Sequence, residues 1–225
     1  MSWYEKKGYN EDPFSTKKGA FIEKAVNLTE PAEELAYHID AGNIVLVEGE
    51  TGTGKTALVS AAMERFRGEG RLIYFDCSKD KVNLKKLLQN RHGIFGKVLN
   101  ILPKNMVLLL DNFKELPLQE IERAKYYYDN SYLRSIVFVG NGTSTLPPNI
   151  MERIGNRVIR LKKLTANDAI QLVKNRLGSL ELLPEKTIRK IYRESGGDAK
   201  KFLENCSKAL EDADKNLNAA GEQNE

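Results

Sequence analysis

The chain has 225 residues, of which 41% are hydrophobic and 29% are charged, and its 35 basic and 31 acidic residues give a net charge of +4. This is the composition of a globular protein, and it excludes a disordered or fibrous chain. The longest uninterrupted apolar run, Met106 to Leu110, is far shorter than the roughly 20 residues that a membrane span requires, and Cys77 and Cys206 form no CxxC pair. We therefore expect a cytoplasmic protein with no membrane partner.

The first 163 residues predict an α/β domain that follows a polar and aromatic N-terminal arm, residues 1–28. Thr29 is a candidate N-cap for a helix over 31–42. Dense apolar stretches predict strands, and amphipathic stretches predict helices between them: the strands are 43–48, 71–76, 106–111, 135–140 and 157–161, and the helices are 55–66, 83–91 and 118–129. This alternation predicts a five-stranded parallel sheet with helices on both faces.

Residues 164–213 predict a small domain that contains only helices. Apolar residues recur three and four positions apart over 165–177, 184–194 and 198–213, which is the spacing of one helical face. Residues 214–225 are polar and have little to bury, so we expect a disordered tail there.

Residues 49–56, Gly-Glu-Thr-Gly-Thr-Gly-Lys-Thr, match the phosphate-binding loop of nucleotide-binding proteins at every position. Its glycines allow backbone N–H groups to turn towards phosphate oxygens, and the helix that follows directs its positive end at them. We expect Lys55 to bind the β- and γ-phosphates and the Thr56 hydroxyl to bind Mg²⁺. The predicted cofactors are ATP or ADP with Mg²⁺, and the predicted binding residues are Gly49, Glu50, Thr51, Gly52, Thr53, Gly54, Lys55, Thr56 and Ala57.

A nucleotide site of this kind needs a second acidic residue at the end of a neighbouring strand, and Asp111 is the candidate because it ends the strand 106–111. Many such ATPases have a glutamate at the next position, where this chain has Asn112. An amide cannot accept the proton of the attacking water, and losing a general base typically costs ~10²–10⁴-fold in rate. Asn112 could still orient a water, or Glu115 could substitute, so the sequence favours nucleotide binding with slow hydrolysis.

The order of these elements resembles that of AAA+ ATPases, and within them most closely the archaeal initiators of the origin-recognition and cell-division-cycle type. The resemblance covers about residues 9–213. It implies a parallel phosphate-loop sheet followed by an all-helical lid, with the nucleotide between them. The segments that carry it are 47–56, 74–78, 107–112, 137–141, 157–177 and 195–204.

This resemblance implies three further site residues. Asn141 matches the polar sensor that contacts the γ-phosphate or the attacking water, with Thr143 as the alternative. Arg153 matches the arginine finger that one subunit supplies to its neighbour, with Arg157 nearby. Lys200 occupies the sensor position of the third lid helix, where the family has an arginine. The resemblance thus implies an oligomer formed through Arg153, and the predicted catalytic residues are Lys55, Asp111, Asn112, Asn141, Arg153 and Lys200.

The chain departs from the initiators in two respects. We expect it to lack their C-terminal winged-helix domain, and it has Asn112 where many ATPases of this class have a glutamate. Both departures favour a relative with a reduced or altered task.

A basic segment, residues 79–104, is a candidate DNA-binding surface. It has seven basic residues and one acidic residue, a local charge of +6: Lys79, Lys81, Lys85, Lys86, Arg91, Lys97 and Lys104 against Asp80. The initiators carry a DNA-contacting insertion in the same place, and such a surface would bind phosphates in a salt-dependent way. A solvated helix face is the alternative. An apolar patch within this segment, Ile94 to Leu99, is either core or a partner surface.

Aromatic residues of the arm, Trp3, Tyr4, Tyr9 and Phe14, are expected to pack on the α/β body or to line an adenine pocket.

The sequence therefore favours an ATP-dependent switch that assembles with DNA or with an unidentified protein partner, in DNA replication or another DNA-remodelling process. A hydrolysis-poor adaptor that acts through protein–protein contacts is the first alternative, and Asn112 favours it. A regulator of transposition or of plasmids, of the same AAA+ type, is the second.

Overall fold

The computed structural model describes residues 2–17, 24–66, 70–79, 81–91, 102–141 and 146–222. It divides into two compact units, which we call the sheet unit and the helical unit. The sheet unit comprises Glu30–Glu50 and Leu58–Leu161. The helical unit comprises Met1–Thr29, Thr51–Ala57 and Lys162–Glu225.

The strands of the described residues are β1 Ile44–Glu48, β2 Leu72–Asp76, β3 Met106–Asp111, β4 Leu133–Gly140 and β5 Val158–Arg160. They form one parallel sheet in the order β2-β3-β4-β1-β5. All six residues of β3 are buried, as expected for a strand with helices on both faces of its sheet. The predicted fold class is confirmed.

The helices of the described residues are α1 Trp3–Lys6, α2 Thr29–Asp40, α3 Lys55–Arg65, α4 Leu84–Asn90, α5 Leu118–Asp129, α6 Pro148–Ile154, α7 Ala166–Leu177, α8 Glu185–Ser195 and α9 Ala199–Glu222. A 3₁₀ turn, Phe113–Glu115, follows β3. None of these helices has the length and apolarity that would let it cross a bilayer.

Most predicted bounds agree with these elements, and β3 and α5 agree at both ends. Other elements differ from the prediction. The short helix α1 was not predicted, and α2 begins at Thr29 itself, the predicted N-cap, and ends at Asp40. The helix α6 was not predicted either, although Pro147 and Pro148 mark its start and proline is favoured at the first helical position. The helix α9 continues to Glu222, past residue 213 where its apolar spacing ends, and Asp214 on it forms an ion pair with Lys6 at 2.6 Å.

Because the strands are parallel, their carboxyl termini lie together at one end of the sheet, which we call the carboxyl end. Asp76 of β2 lies beside Asp111 of β3, and Glu48 of β1 lies beside Gly140 of β4. The core beneath them is built from the inward residues of the strands and of α4, α5 and α6.

The helical unit has its own core, which includes the N-terminal arm. Trp3 and Phe14 are buried with apolar residues of α7, α8 and α9, and the two rings stack with centroids 6.4 Å apart. The Tyr9 hydroxyl donates to the Leu177 carbonyl at 2.8 Å. The arm therefore packs on the C-terminal helices and not on the α/β body, which was one of the two alternatives expected from the sequence.

Candidate functional site

The phosphate-binding loop follows β1 and leads into α3, as the motif requires. Gly52 and Gly54 have φ values of +82° and +94°, in the left-handed region that favours glycine. A Cβ atom on Gly52 would lie 2.3 Å from Cγ of Asp198, so no side chain fits there. The loop conformation therefore depends on glycine at this position.

The start of α3 suits an anionic ligand. Its first turn contains Lys55 and no acidic residue, so the positive end of the helix is not neutralised by a carboxylate of its own turn. Lys55 is half-buried, Thr56 is exposed and Thr53 is buried. A glycine-rich loop that opens a helix with a lysine and a hydroxyl residue is a donor set for phosphate oxygens and for Mg²⁺.

The loop also contacts the start of α9 within the helical unit. The Ala199 N–H donates to the Gly52 carbonyl at 2.9 Å. Asp198 accepts a hydrogen bond from the Lys201 N–H at 3.0 Å and so caps this helix. Lys200 lies in the same first turn, with a side chain that is 70% exposed and 3.8 Å from the Glu204 carboxylate.

At the carboxyl end of the sheet, Asp111 is buried and accepts hydrogen bonds from Tyr74 and Asn112. The Tyr74 hydroxyl donates to Oδ2 at 3.1 Å, and the Asn112 N–H donates to Oδ1 at 3.0 Å. Burial and the nearby Asp111 carboxylate raise the pKa of Tyr74 above its ordinary value, so the phenol keeps the proton that it donates. The side chain of Asp111 is thereby fixed, and its carboxylate is the type of ligand that Mg²⁺ prefers.

Asn112 has a role that sequence analysis missed. Its backbone is left-handed, with φ +55° and ψ +41°, and its Nδ2 donates to Oδ1 of Asp76 at 2.9 Å. The same Asp76 oxygen accepts from the Ser78 hydroxyl at 2.7 Å, and Lys79 Nζ lies 3.6 Å from Oδ2. The signal in the sequence was a second aspartate at a strand end, Asp76, but only the pairing of β2 with β3 brings it to Asn112.

The electrostatics of Asp76 follow from these contacts. Burial acting alone would raise the pKa of Asp76, but the hydrogen bonds from Asn112 and Ser78 and the charge of Lys79 hold it below its ordinary value. The neighbouring Cys77 thiol has a pKa raised to about 12 by burial and by the carboxylates of Asp76 and Asp111. Asp76 is thus an ionised acceptor and Cys77 an inert thiol.

Two other predicted residues, Asn141 and Glu115, follow strands that end here. Asn141 follows β4 and is exposed, whereas its alternative, Thr143, lies outside the described residues. Glu115 is exposed in the 3₁₀ turn after Asn112. At the end of β1, the Glu48 carboxylate binds Arg160 at 2.6 Å, a contact that sequence analysis did not foresee.

Arg153 lies at the opposite, amino end of the sheet. It lines a pocket of about 410 Å³ with residues that precede or begin β3 and β4 or end α5, among them Asn105, Leu133 and Asp129. Its Nη1 is 2.9 Å from the Asp129 carboxylate, and its side chain is 46% exposed. Arg157, the alternative finger, instead donates to the backbone carbonyls of Arg153 and Ile44.

The lysines of the basic segment that the structure describes are all exposed. Lys81, Lys85, Lys86 and Lys104 are exposed, whereas Arg91 donates to the Leu72 carbonyl at 2.5 Å. Asp80, Lys97 and the apolar patch 94–99 lie outside the described residues. The helix α4 is anchored through its N-terminus, where Glu120 accepts from the Leu84 N–H at 2.9 Å.

Comparisons with known proteins agree with this geometry. The model of the IstB-like ATP-binding protein family matches residues 16–139. Similar solved structures include Cdc6p of Pyrobaculum aerophilum (TM-score 0.70, 15% identity, covering 92% of this chain and 67% of that one) and the Orc1 protein of Aeropyrum pernix in complex with DNA (0.69, 16%, 88% and 63%). Drosophila ORC bound to DNA is also similar (0.58, 18%, 87% and 60%).

The chain thus spans about 60–67% of the length of these structures, and at such identities the likeness shows the fold. A comparison with curated protein sequences gives no significant match.

Proposed function

The chain belongs to the IstB-like ATP-binding protein family, and from this premise we propose that it is a nucleotide switch that binds Mg·ATP and hydrolyses it slowly. Lys55 and the loop residues Gly49–Ala57 bind the phosphates, and Thr56 and Asp111 hold Mg²⁺. When bound, the ion neutralises charge on the phosphates during transfer. The observation that carries the proposal is the loop itself, whose left-handed glycines lead into a helix with Lys55 and no acid in its first turn.

Calorimetry with Mg·ATP and Mg·ADP tests this proposal. We expect the wild-type chain to bind both nucleotides and Lys55→Ala to lose at least about tenfold in affinity, because the phosphates lose a charged donor. Lys174→Ala, which removes an exposed lysine from α7, is the matched control and should bind like the wild type. A wild-type chain that binds neither nucleotide would refute the proposal.

The hydrolytic step depends on Asn112, Asn141 and Lys200 in this proposal. Asn112 orients the attacking water, as a glutamine does in some GTPases. Asn141 contacts the γ-phosphate or this water, and Lys200 supplies a positive charge that exchanges its Glu204 partner for the nucleotide. Steady-state phosphate release, compared with that of Lys55→Ala, separates slow turnover from an adaptor that only binds ATP. Phosphate release equal to that of the variant would refute turnover and favour the adaptor function.

Arg153 acts on the nucleotide of a neighbouring subunit in this proposal. Its exposed position at the amino end of the sheet supports this role, since its own Asp111 lies at the carboxyl end. Sedimentation with a slowly hydrolysed ATP analogue should show an oligomer that Arg153→Ala weakens, with hydrolysis in the oligomer reduced by up to about 10³-fold. Arg193→Ala, on the exposed face of α8, is the control. A chain that remains monomeric with and without the analogue would refute the role of Arg153 as an arginine finger.

DNA is a second candidate partner, which the exposed lysines of the basic segment support. Two of the similar structures are described as complexes with DNA. We expect binding of short duplex and single-stranded DNA that weakens steeply as salt rises. Lys85→Ala with Lys86→Ala should reduce the salt slope by about 0.9 for each phosphate that these lysines neutralise. If DNA does not bind at low salt, the DNA proposal is refuted and a protein partner is favoured. A pull-down in the presence of ATP is the direct assay for such a partner.

A further inference from the structure

The carboxylate that is missing at position 112 is present on the neighbouring strand. Asp76 ends β2 and lies beside Asp111 in the register of β2 with β3, and it accepts the hydrogen bond of the Asn112 amide at 2.9 Å. The pair therefore has the amide on β3 and the acid on β2.

Asp76 determines which way the Asn112 amide points. An ionised carboxylate can only accept hydrogen bonds, so the amide must turn its Nδ2 towards Asp76. Its Oδ1 is then the end that remains for other partners. Asparagine tolerates the left-handed backbone of this position better than most residues, and glutamate would be strained there.

Asp76 is itself held in place. The Ser78 hydroxyl and N–H donate to the same oxygen at 2.7 and 3.2 Å, and Lys79 lies on the other oxygen at 3.6 Å. Its side chain is only 14% exposed. A fixed acceptor is what orients an amide that could otherwise rotate by half a turn.

We infer that Asp76 is a positioning residue for ATP hydrolysis, which fixes the Asn112 amide so that Oδ1 accepts a hydrogen bond from the attacking water. This inference rests on the proposed function. The water oxygen forms a bond to the γ-phosphorus while the bond to the β–γ bridging oxygen breaks. The water's proton passes to an oxygen of the released phosphate, because neither end of an amide can take it.

Exchanging the two side chains tests the inference. Asp76→Asn allows the Asn112 amide to turn, and we expect phosphate release to fall about tenfold while the Kd for Mg·ATP changes by less than about threefold. Asn112→Asp alone places two carboxylates at hydrogen-bonding distance, and their repulsion should also slow release. The double variant Asp76→Asn with Asn112→Asp restores one donor and one acceptor, and we expect it to recover at least the wild-type rate.

This recovery separates positioning from a merely structural role, since two independent damages would add rather than cancel. Asp40→Asn is the matched control. It removes a half-exposed carboxylate whose partners, Arg65 and Arg134, lie 3.9 and 3.8 Å away, and it should leave phosphate release unchanged. A double variant no faster than the faster single variant would overturn the inference.

A second measurement does not depend on turnover. The side-chain amide protons of Asn112, followed by NMR, should exchange more slowly in the wild type than in Asp76→Asn, because one of them is hydrogen-bonded. Equal exchange would overturn the inference and leave the nucleotide site intact. If phosphate release by the wild type equals that of Lys55→Ala, the chain does not hydrolyse ATP. The proposed function, on which the catalytic part of the inference rests, would then fail.

Discussion

Asp76 and Asp111 of the sheet unit lie at strand ends, whereas Asp168 and Asp198 of the helical unit lie at helix starts, and their surroundings differ accordingly. At the strand ends, Asp76 and Asp111 accept from the side chains of Asn112 and Tyr74 in addition to backbone N–H groups. In the helical unit, Asp168 and Asp198 precede or open helices and accept from backbone N–H groups at the helix start. Side-chain donors can turn towards a ligand, whereas the backbone donors of a helix start are fixed by the helix and need an acceptor.

This difference follows from the secondary structure. The carboxyl ends of parallel strands place several side chains at one end of the sheet, which is where open α/β sheets bind ligands. A helix start offers unpaired N–H groups to the nearest carboxylate. Substituting aspartates in the two units should therefore separate loss of activity from loss of stability.

The largest effect is expected from Asp111→Asn. Phosphate release should fall on the order of 100-fold, as it does when one group that stabilises developing charge is removed, because the Mg²⁺ site loses its carboxylate. The free energy of unfolding should change by less than about 1 kcal/mol, since the amide oxygen can accept from the Asn112 N–H while the Tyr74 hydroxyl turns to accept from the amide nitrogen. Phosphate release and urea unfolding, measured on the same preparation, test both parts.

Asp168→Asn is the matched control, and it should show the opposite pattern, with normal release and reduced stability. If Asp111→Asn loses phosphate release and is also destabilised, the aspartates of the two units do not differ in the way that we expect.

The next effect concerns Gly52, where the phosphate loop meets the cap of α9. Gly52→Ala combines a left-handed backbone with a Cβ at 2.3 Å from Asp198, and we expect a loss of about 2–4 kcal/mol in the free energy of unfolding. Gly8 has the same φ of +82° and no atom within 4 Å of an added Cβ. Gly8→Ala should therefore lose only about 1 kcal/mol.

Urea unfolding curves measure both alanine variants. Equal losses would mean that Asp198 moves away freely, and the contact of the loop with α9 would then have no energetic weight.

Glu120 is a carboxylate of the sheet unit that, like Asp168 and Asp198, accepts from an N–H at a helix start, and it sharpens the comparison. It is buried and accepts from the Leu84 N–H at the start of α4, while Arg123 pairs with its other oxygen. Glu120→Ala should cost about 2 kcal/mol by leaving this N–H unpaired and should not alter nucleotide binding. Glu122→Ala, two residues along and exposed, should cost under about 0.5 kcal/mol; thermal unfolding distinguishes the two.

The parts of the structure that could be predicted are those that depend on local patterns. The bounds of β3 and α5 follow from one continuous apolar run and one amphipathic period, and the loop follows from a motif of eight residues. The Asn112–Asp76 bond joins residues 36 positions apart and needs the register of two strands, which no local pattern gives. The packing of Trp3 into the helical unit depends on tertiary contacts for the same reason.

The smallest effect, and the one that depends on pH, is expected at Asp168. Burial alone would raise the pKa of Asp168, but hydrogen bonds from the backbone and side chain of Thr165 and from Asn27 hold it below its ordinary value. The carboxylate form therefore stabilises the folded state above the unfolded pKa of about 3.9, and this contribution disappears as pH falls through the lower, folded pKa.

Asp168→Ala should be less stable than the wild type by about 1 kcal/mol at pH 7, with a difference that shrinks below pH ~4. Asn167→Ala, which alters the same turn without removing a titratable group, should give a difference independent of pH in urea unfolding. A constant difference for Asp168→Ala would mean that the cap acts through packing alone.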